Sequence, residues 1–311
     1  MSNSLLQMLF KWGIRLLYAS LLVFLSVFIL RNIEAMRDFE LHPRIMPMLA
    51  ALFLILISYL ANCWLWQHFA KIYDIRSDFI TAGKAWSQSQ LGKYIPGKVS
   101  VFLFRMNVYP AVLKSKVAVA SAYEYITNQA ASCIIILLSV SLAPLALPEY
   151  LRVFAIAGII CSLIVLTPAF FVPVTNKLFT LLRQSRLEEA PSYKTMLLFI
   201  GAYIISLFVQ SAGLYFVIRA FTELSIWHLI TITGMYQAAA LAGIFAIFTP
   251  AGLGVREGVL VLIVPLLAIS EPVVIVSVIT MRLLTILAEL ILAGCFTGLS
   301  SFTNTVPNQH R

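Results

Sequence analysis

The sequence predicts an all-α polytopic membrane protein, an inverted repeat of three spans plus one re-entrant helical hairpin per half. Three observations carry this. Apolar residues make up 61% of the chain and charged residues 11%, with mean hydropathy +0.94, a balance far outside that of soluble domains. Several apolar runs reach the roughly 20 residues that cross a hydrocarbon core. Two Pro-Gly breaks interrupt this apolar sequence at corresponding places in the two halves. The first is Gly92-Lys93-Tyr94-Ile95-Pro96-Gly97-Lys98; the second is Thr249-Pro250-Ala251-Gly252-Leu253-Gly254-Val255-Arg256-Glu257. Lipid cannot satisfy the backbone groups that a break frees, so such a segment is buried in protein or lines a wet cavity. Paired breaks in two halves point to a transporter's substrate site.

The chain reads as a single membrane domain over 1–311, with a first repeat at 1–143, a second at 144–300 and a tail at 301–311. Spans are expected at 12–30, 45–69, 117–142, 152–173, 196–219 and 272–299. The first is read as a span rather than a cleaved signal peptide. Arg31-Asn32-Ile33-Glu34 follows Leu30 where a small-residue cleavage site would stand. Stretches 79–109 and 229–270 hold the breaks and read as hairpins, because Gly258 to Ala268 is too short to cross alone. The alternative makes 229–248 a full span and raises the total to seven or eight. Gly83, Ala85, Ser87 and Ser89 before the first break, and Gly234, Ala238, Ala239, Ala240, Ala242 and Gly243 before the second, allow close helix approach. Asp78-Phe79-Ile80-Thr81 and His228-Leu229-Ile230-Thr231 echo each other where the hairpins open.

Charge placement sets the orientation. With the N-terminus cytoplasmic, Lys11, Arg15, Lys71, Arg76, Lys114, Lys116, Lys177, Arg183, Arg186 and Lys194 fall inside. Arg31, Arg37, Arg44, Arg152 and Arg219 fall outside. The asymmetry fits the positive-inside rule and puts both termini in the cytoplasm. The net charge of +9 reads as this topological signal plus attraction to anionic headgroups; no nucleic-acid partner is expected.

Other chemistry is thin. Gly92 to Lys98 matches most of a phosphate-loop pattern, but Val99 stands where a magnesium ligand belongs and no strand precedes the loop. A helix start beside lysine still suits a phosphate. Cys63, Cys133, Cys161 and Cys295 form no C-x-x-C pair, and His42, His68, His228 and His310 form no ligand spacing. No cofactor or metal is expected. Trp64, Trp66, Trp86 and Trp227 read as interfacial aromatic belts.

Pro250-Ala251-Gly252-Leu253-Gly254-Val255-Arg256-Glu257-Gly258 resembles the P-x-G-L-G-x-R-E signature of the flippase-like transmembrane domain of lysylphosphatidylglycerol synthases. The family's usual glycine after the proline is Ala251 here. Lys93 to Lys98 followed by Arg105 is similar to the family's other Pro-Gly region, and Glu124 matches its membrane-embedded glutamate. The resemblance implies a multi-pass protein of the bacterial cytoplasmic (inner) membrane that handles an anionic, polyprenyl or glycosylated lipid. The family's bifunctional members add a soluble aminoacyl transferase, for which these spans leave no room, so no enzyme activity is expected.

Ionisable groups in a membrane each cost about 2.5–3.5 kcal/mol on insertion scales, so each is a functional candidate. Glu124 shares a helical face with Asn128, with Gln129 nearby; Arg282 lies two turns before Glu289 and is read as pairing with it or with another carboxylate. Arg256 is read either as neutralising its neighbour Glu257 or, with Lys93, Lys98 and Arg105, as gripping a lipid phosphate. Glu124 is the candidate for coupling movement to protonation. The function expected is a flippase-like transporter moving an anionic or glycosylated lipid between leaflets. The rivals are a headgroup-modifying enzyme with Glu124 or Glu257 as base, and a non-catalytic subunit of an envelope assembly. The oligomeric state is left open.

Overall fold

The computed structural model describes residues 43–95, 100–110, 112–142, 149–181, 191–246 and 249–305. The expected span at 12–30, the break residues Pro96, Gly97 and Lys98, the basic loop residues Arg183 and Arg186 and the end of the tail lie outside them. The described residues are helical, with no strand among them. Ten helices follow in order: α1 (Ile45–Ile72), α2 (Phe79–Gly92), α3 (Ser100–Val108), α4 (Lys114–Leu142), α5 (Glu149–Leu166), α6 (Pro168–Leu181), α7 (Tyr193–Phe221), α8 (His228–Phe245), α9 (Val255–Ile263) and α10 (Glu271–Thr305). Short 3₁₀ turns at Pro250–Gly252 and Val264–Leu267 flank α9.

Among the described residues six helices are long and apolar enough to cross a membrane: α1, α4, α5, α7, α8 and α10. Expected spans 45–69, 117–142, 196–219 and 272–299 fall within α1, α4, α7 and α10. Expected span 152–173 is not one helix. It divides at Thr167 into α5 and α6, because Pro168 has no N–H to continue the ladder. The 18 residues of α8 meet the length and composition of a span, the alternative weighed for 229–248.

α1 and α7 form the most extensive pairing and run antiparallel. Arg44 N–H donates to Ala220 O at 2.9 Å and the Arg44 guanidinium pairs with Glu223 at 2.5 Å, tying the start of α1 to the end of α7. Arg44 holds the exposed Glu223 carboxyl below the usual carboxylate range. Midway, Ser58 and Ser206 hydroxyls meet at 3.0 Å and Ser206 donates to Asn62 at 2.8 Å. At the other end of α1, Lys116 pairs with Asp74 at 3.2 Å. Arg44 and Arg219 therefore sit at one end of the bundle, Lys71 and Lys116 at the other.

The core is aromatic where α1, α4, α6 and α7 converge. Phe69 packs edge-on against Phe199 at 4.9 Å, and Tyr123 edge-on against Phe171 at 4.7 Å. Outward faces carry large apolar groups such as Phe53, Leu198 and Leu262. An outer surface of this kind suits lipid, where apolar exposure is not penalised. Gln237 locks α8 between its neighbours: it accepts from Ser132 of α4 at 2.9 Å and donates to Ser211 of α7 at 2.6 Å.

Candidate functional site

The site forms where the two breaks meet. Asp78 caps α2 by accepting from Thr81 N–H at 3.2 Å. The start of α2 lies beside the end of α10, with Phe79 edge-on to Phe296 at 5.6 Å and Lys84 donating to Ser300 at 3.0 Å. The end of α2 lies beside the middle of α10, where Lys93 pairs with Glu289. α3 packs back along α2. Ser100 Oγ donates to Gly92 O at 2.5 Å, and Tyr109 accepts from the Trp66 indole at 3.0 Å.

The second break folds through left-handed backbone. Ala251, Gly252 and Gly254 have φ of 52°, 69° and 83°. Glycine takes such angles freely, and a Cβ on Gly252 would lie 2.7 Å from Gly243 Cα. Glu257 reaches back to accept from Gly254 N–H at 2.8 Å, capping α9. Ala251 N–H donates to Lys93 O at 2.8 Å, so the two breaks touch directly.

Around this contact lies a cavity of about 360 Å³. Lys93, Arg105, Arg256 and Arg282 line it, with Glu124 and Asn128. Of the sequence candidates, Glu257 lies behind this wall, against Arg282, and Lys98 is outside the described residues. Pro250 opens the 3₁₀ turn of the break, and Gly252 and Gly254 carry its left-handed backbone.

Each carboxylate is engaged. Glu124, buried, pairs with Arg105 and accepts from Tyr203 OH at 2.8 Å. Arg105 also donates from Nε to Ser89 at 3.1 Å and lies 4.0 Å over the Trp66 ring. Glu289, buried, accepts from Lys93, from Tyr94 OH at 3.0 Å and from Tyr59 OH at 3.1 Å. Glu257 faces Arg282 Nε at 3.7 Å, an ion pair too long for a hydrogen bond.

The cations are less satisfied. Arg282 is 5% exposed, and its Nε and Nη2 have no hydrogen-bond partner among the described residues. Arg256 stacks 4.2 Å over the Tyr236 ring and pairs with no carboxylate among the described residues. Among the described residues four cations thus face three carboxylates, leaving one positive charge in excess around the cavity. The unpaired cation, Arg256, is half-buried, and a charge within a membrane is costly without a counter-charge.

This pairing decides between two partners for Arg282 and corrects one sequence expectation. Arg282 pairs with another carboxylate, Glu257, and not with Glu289 two turns along its own helix, which Lys93 of the first break takes. Arg256 does not neutralise Glu257, because successive helical side chains diverge and Glu257 turns to Gly254 and Arg282. The belt reading fails for two tryptophans: Trp66 and Trp86 are buried, while Trp64 and Trp227 are exposed.

The sequence reading missed Tyr59, Trp86, Gln90, Tyr203, Gln210 and Tyr236, which also line the cavity. Gln210, polar within an apolar span, was the available signal. Among the described residues no group of His, Cys, Asp or Glu is placed to hold a metal ion. No family model matches this chain, and no curated protein shows significant similarity to it.

Proposed function

We propose that this chain is a flippase-like transporter of the bacterial cytoplasmic membrane that moves an anionic or glycosylated lipid between leaflets. The observation that carries this reading is the cavity at the junction of the two breaks, with four cations set against three carboxylates. In low dielectric, an anionic headgroup is the natural counter-charge to that excess. Arg256 and Arg282 offer planar forks that match phosphate oxygens, and acyl chains stay in lipid while the headgroup passes.

Helix geometry supports two re-entrant hairpins. α2 reaches only from the end of α10 to its middle, and its 14 residues span about 21 Å, short of the ~30 Å hydrocarbon core. α8 starts beside the far end of α4, where Ser139 bonds to Ile230 O, and the break after α8 meets the break after α2. Elements arranged this way fit inverted repeats whose hairpins enter from opposite faces. The P-x-G-L-G-x-R-E resemblance to the flippase-like domain of lysylphosphatidylglycerol synthases points the same way, and the positive-inside pattern puts both termini in the cytoplasm.

The test is leaflet exchange in proteoliposomes. Fluorescent anionic phospholipid in the inner leaflet should become accessible to dithionite faster with protein than without it. Equal rates for protein-containing and empty vesicles would reject transport.

A further inference from the structure

The cavity wall holds an unusual set of neutral polar groups. Six carboxamides line it. Gln237 and Asn62 are tied to serines of neighbouring helices. The other four have bonding capacity left. Gln90 makes no side-chain hydrogen bond among the described residues; Asn128 and Gln129 bond only to each other, at 3.3 Å; Gln210 donates to Tyr59 OH at 3.2 Å. Two further hydroxyls on the same wall, Ser121 Oγ and Tyr236 OH, are buried with no partner among the described residues. A buried polar atom without a partner costs about 1–3 kcal/mol; these two hydroxyls, with the four half-buried carboxamides beside them, point to a ligand that donates and accepts many neutral hydrogen bonds.

The charged groups narrow the ligand from the other side. Every carboxylate at the cavity is already engaged: Glu124 by Arg105 and Tyr203, Glu289 by Lys93 and two tyrosines, Glu257 by Gly254 and Arg282. None is left to receive an ammonium group, while Arg256 pairs with no carboxylate and Arg282, though ion-paired with Glu257, keeps Nη2 without a hydrogen-bond partner among the described residues. The volume of about 360 Å³ falls within the ~300–1,000 Å³ of small-ligand sites and suits a headgroup, not a whole lipid.

We propose that the headgroup taken here is a phosphodiester bearing a neutral, hydroxyl-rich group such as a sugar or polyol, and not a headgroup carrying an amine. Arg256 and Arg282 take the phosphate. Gln90, Asn128, Gln129 and Gln210 take the hydroxyls, with tyrosine and Trp86 rings as apolar walls. This deepens the transport reading and rests on it for its biological meaning, but it concerns binding, which is measured without transport.

The test uses three short-chain lipids on the purified protein in detergent: dihexanoyl phosphatidylinositol, phosphatidic acid and phosphatidylethanolamine, followed by tryptophan fluorescence. Phosphatidylinositol should bind at least about tenfold tighter than phosphatidylethanolamine, and more tightly than phosphatidic acid, since one or two hydroxyl bonds are worth that much. The double variant Asn128→Ala with Gln129→Ala should remove the advantage over phosphatidic acid and leave phosphatidic acid binding unchanged. Phosphatidylethanolamine binding as tightly as phosphatidylinositol would overturn the proposal. So would phosphatidylinositol binding no tighter than phosphatidic acid, or the double variant weakening all three alike. The expected binding order without leaflet exchange would reject transport and keep the headgroup assignment; exchange with the reverse order would do the opposite.

Discussion

The N–H of Ala251 donates to the carbonyl of Lys93 at 2.8 Å, joining two breaks that lie more than half the chain apart in sequence. Each partner has a second role. Lys93 carries its ammonium to the buried Glu289, and Ala251 holds the left-handed angle that turns the chain toward α9. One hydrogen bond therefore couples the ion pair on α10 to the position of Arg256.

Ala251 is strained where glycine would not be. Left-handed backbone costs an L-residue about 1–2 kcal/mol, and an added glycine loses about 0.4–1 kcal/mol through the unfolded chain. Ala251→Gly should leave thermal stability unchanged or raise it by up to about 1.6 kcal/mol. Ala251→Val should lower it, since a branched side chain fits that angle poorly. Melting temperatures in detergent check both; a stabilising valine would contradict the backbone reading.

The Lys93–Glu289 pair predicts strong coupling. Removing one partner from a buried pair costs about 3–5 kcal/mol, because the other charge is left uncompensated. Lys93→Met and Glu289→Gln should each destabilise on this scale, while the double variant should recover most of the loss. A double-mutant cycle measures it; additive losses would mean that the two charges do not depend on each other.

Arg256 and Glu257 should behave as independent neighbours. Arg256→Gln loses a ring contact worth about 0.5–2 kcal/mol and the free cation, so lipid binding should fall more than stability. Glu257→Gln should destabilise strongly, because Arg282 loses its only carboxylate within 4 Å among the described residues. Combining Arg256→Ala with Glu257→Ala should not rescue either property. Joint rescue of binding and thermal stability would restore the mutual-neutralisation reading.

Orientation is tested at helix starts. Lys114 and Glu149 begin α4 and α5, at opposite ends of a 29-residue helix about 43 Å long. Cysteine at Glu149 should react with an impermeant reagent in intact cells, and cysteine at Lys114 should not. The reverse pattern would invert the topology.

Much of this was legible in the sequence, for a physical reason. Membrane insertion penalises charge so heavily that Lys93, Arg105, Glu124, Arg256 and Arg282 stood out by residue type alone, and all five line one cavity. Their partners were not legible. Arg282 and Glu289 share a helix face, but the nearest charge in sequence lost to Lys93, which only the folded break brings close. Tyr59, Trp86 and Tyr203 were hidden because aromatic residues are ordinary in membrane helices. The division at Thr167 had a visible signal in Pro168, overridden by the apolar run around it.

Under the transport proposal, the cation excess at the junction of the breaks carries an anionic headgroup across the bilayer. Leaflet exchange of a fluorescent phosphatidylglycerol in proteoliposomes, compared for the natural protein and Arg256→Gln at matched incorporation, tests it most directly. The account predicts rapid exchange with the natural protein and a rate at least about tenfold lower with Arg256→Gln, the loss of one charge-assisted hydrogen bond. Equal rates for the two proteins would contradict it.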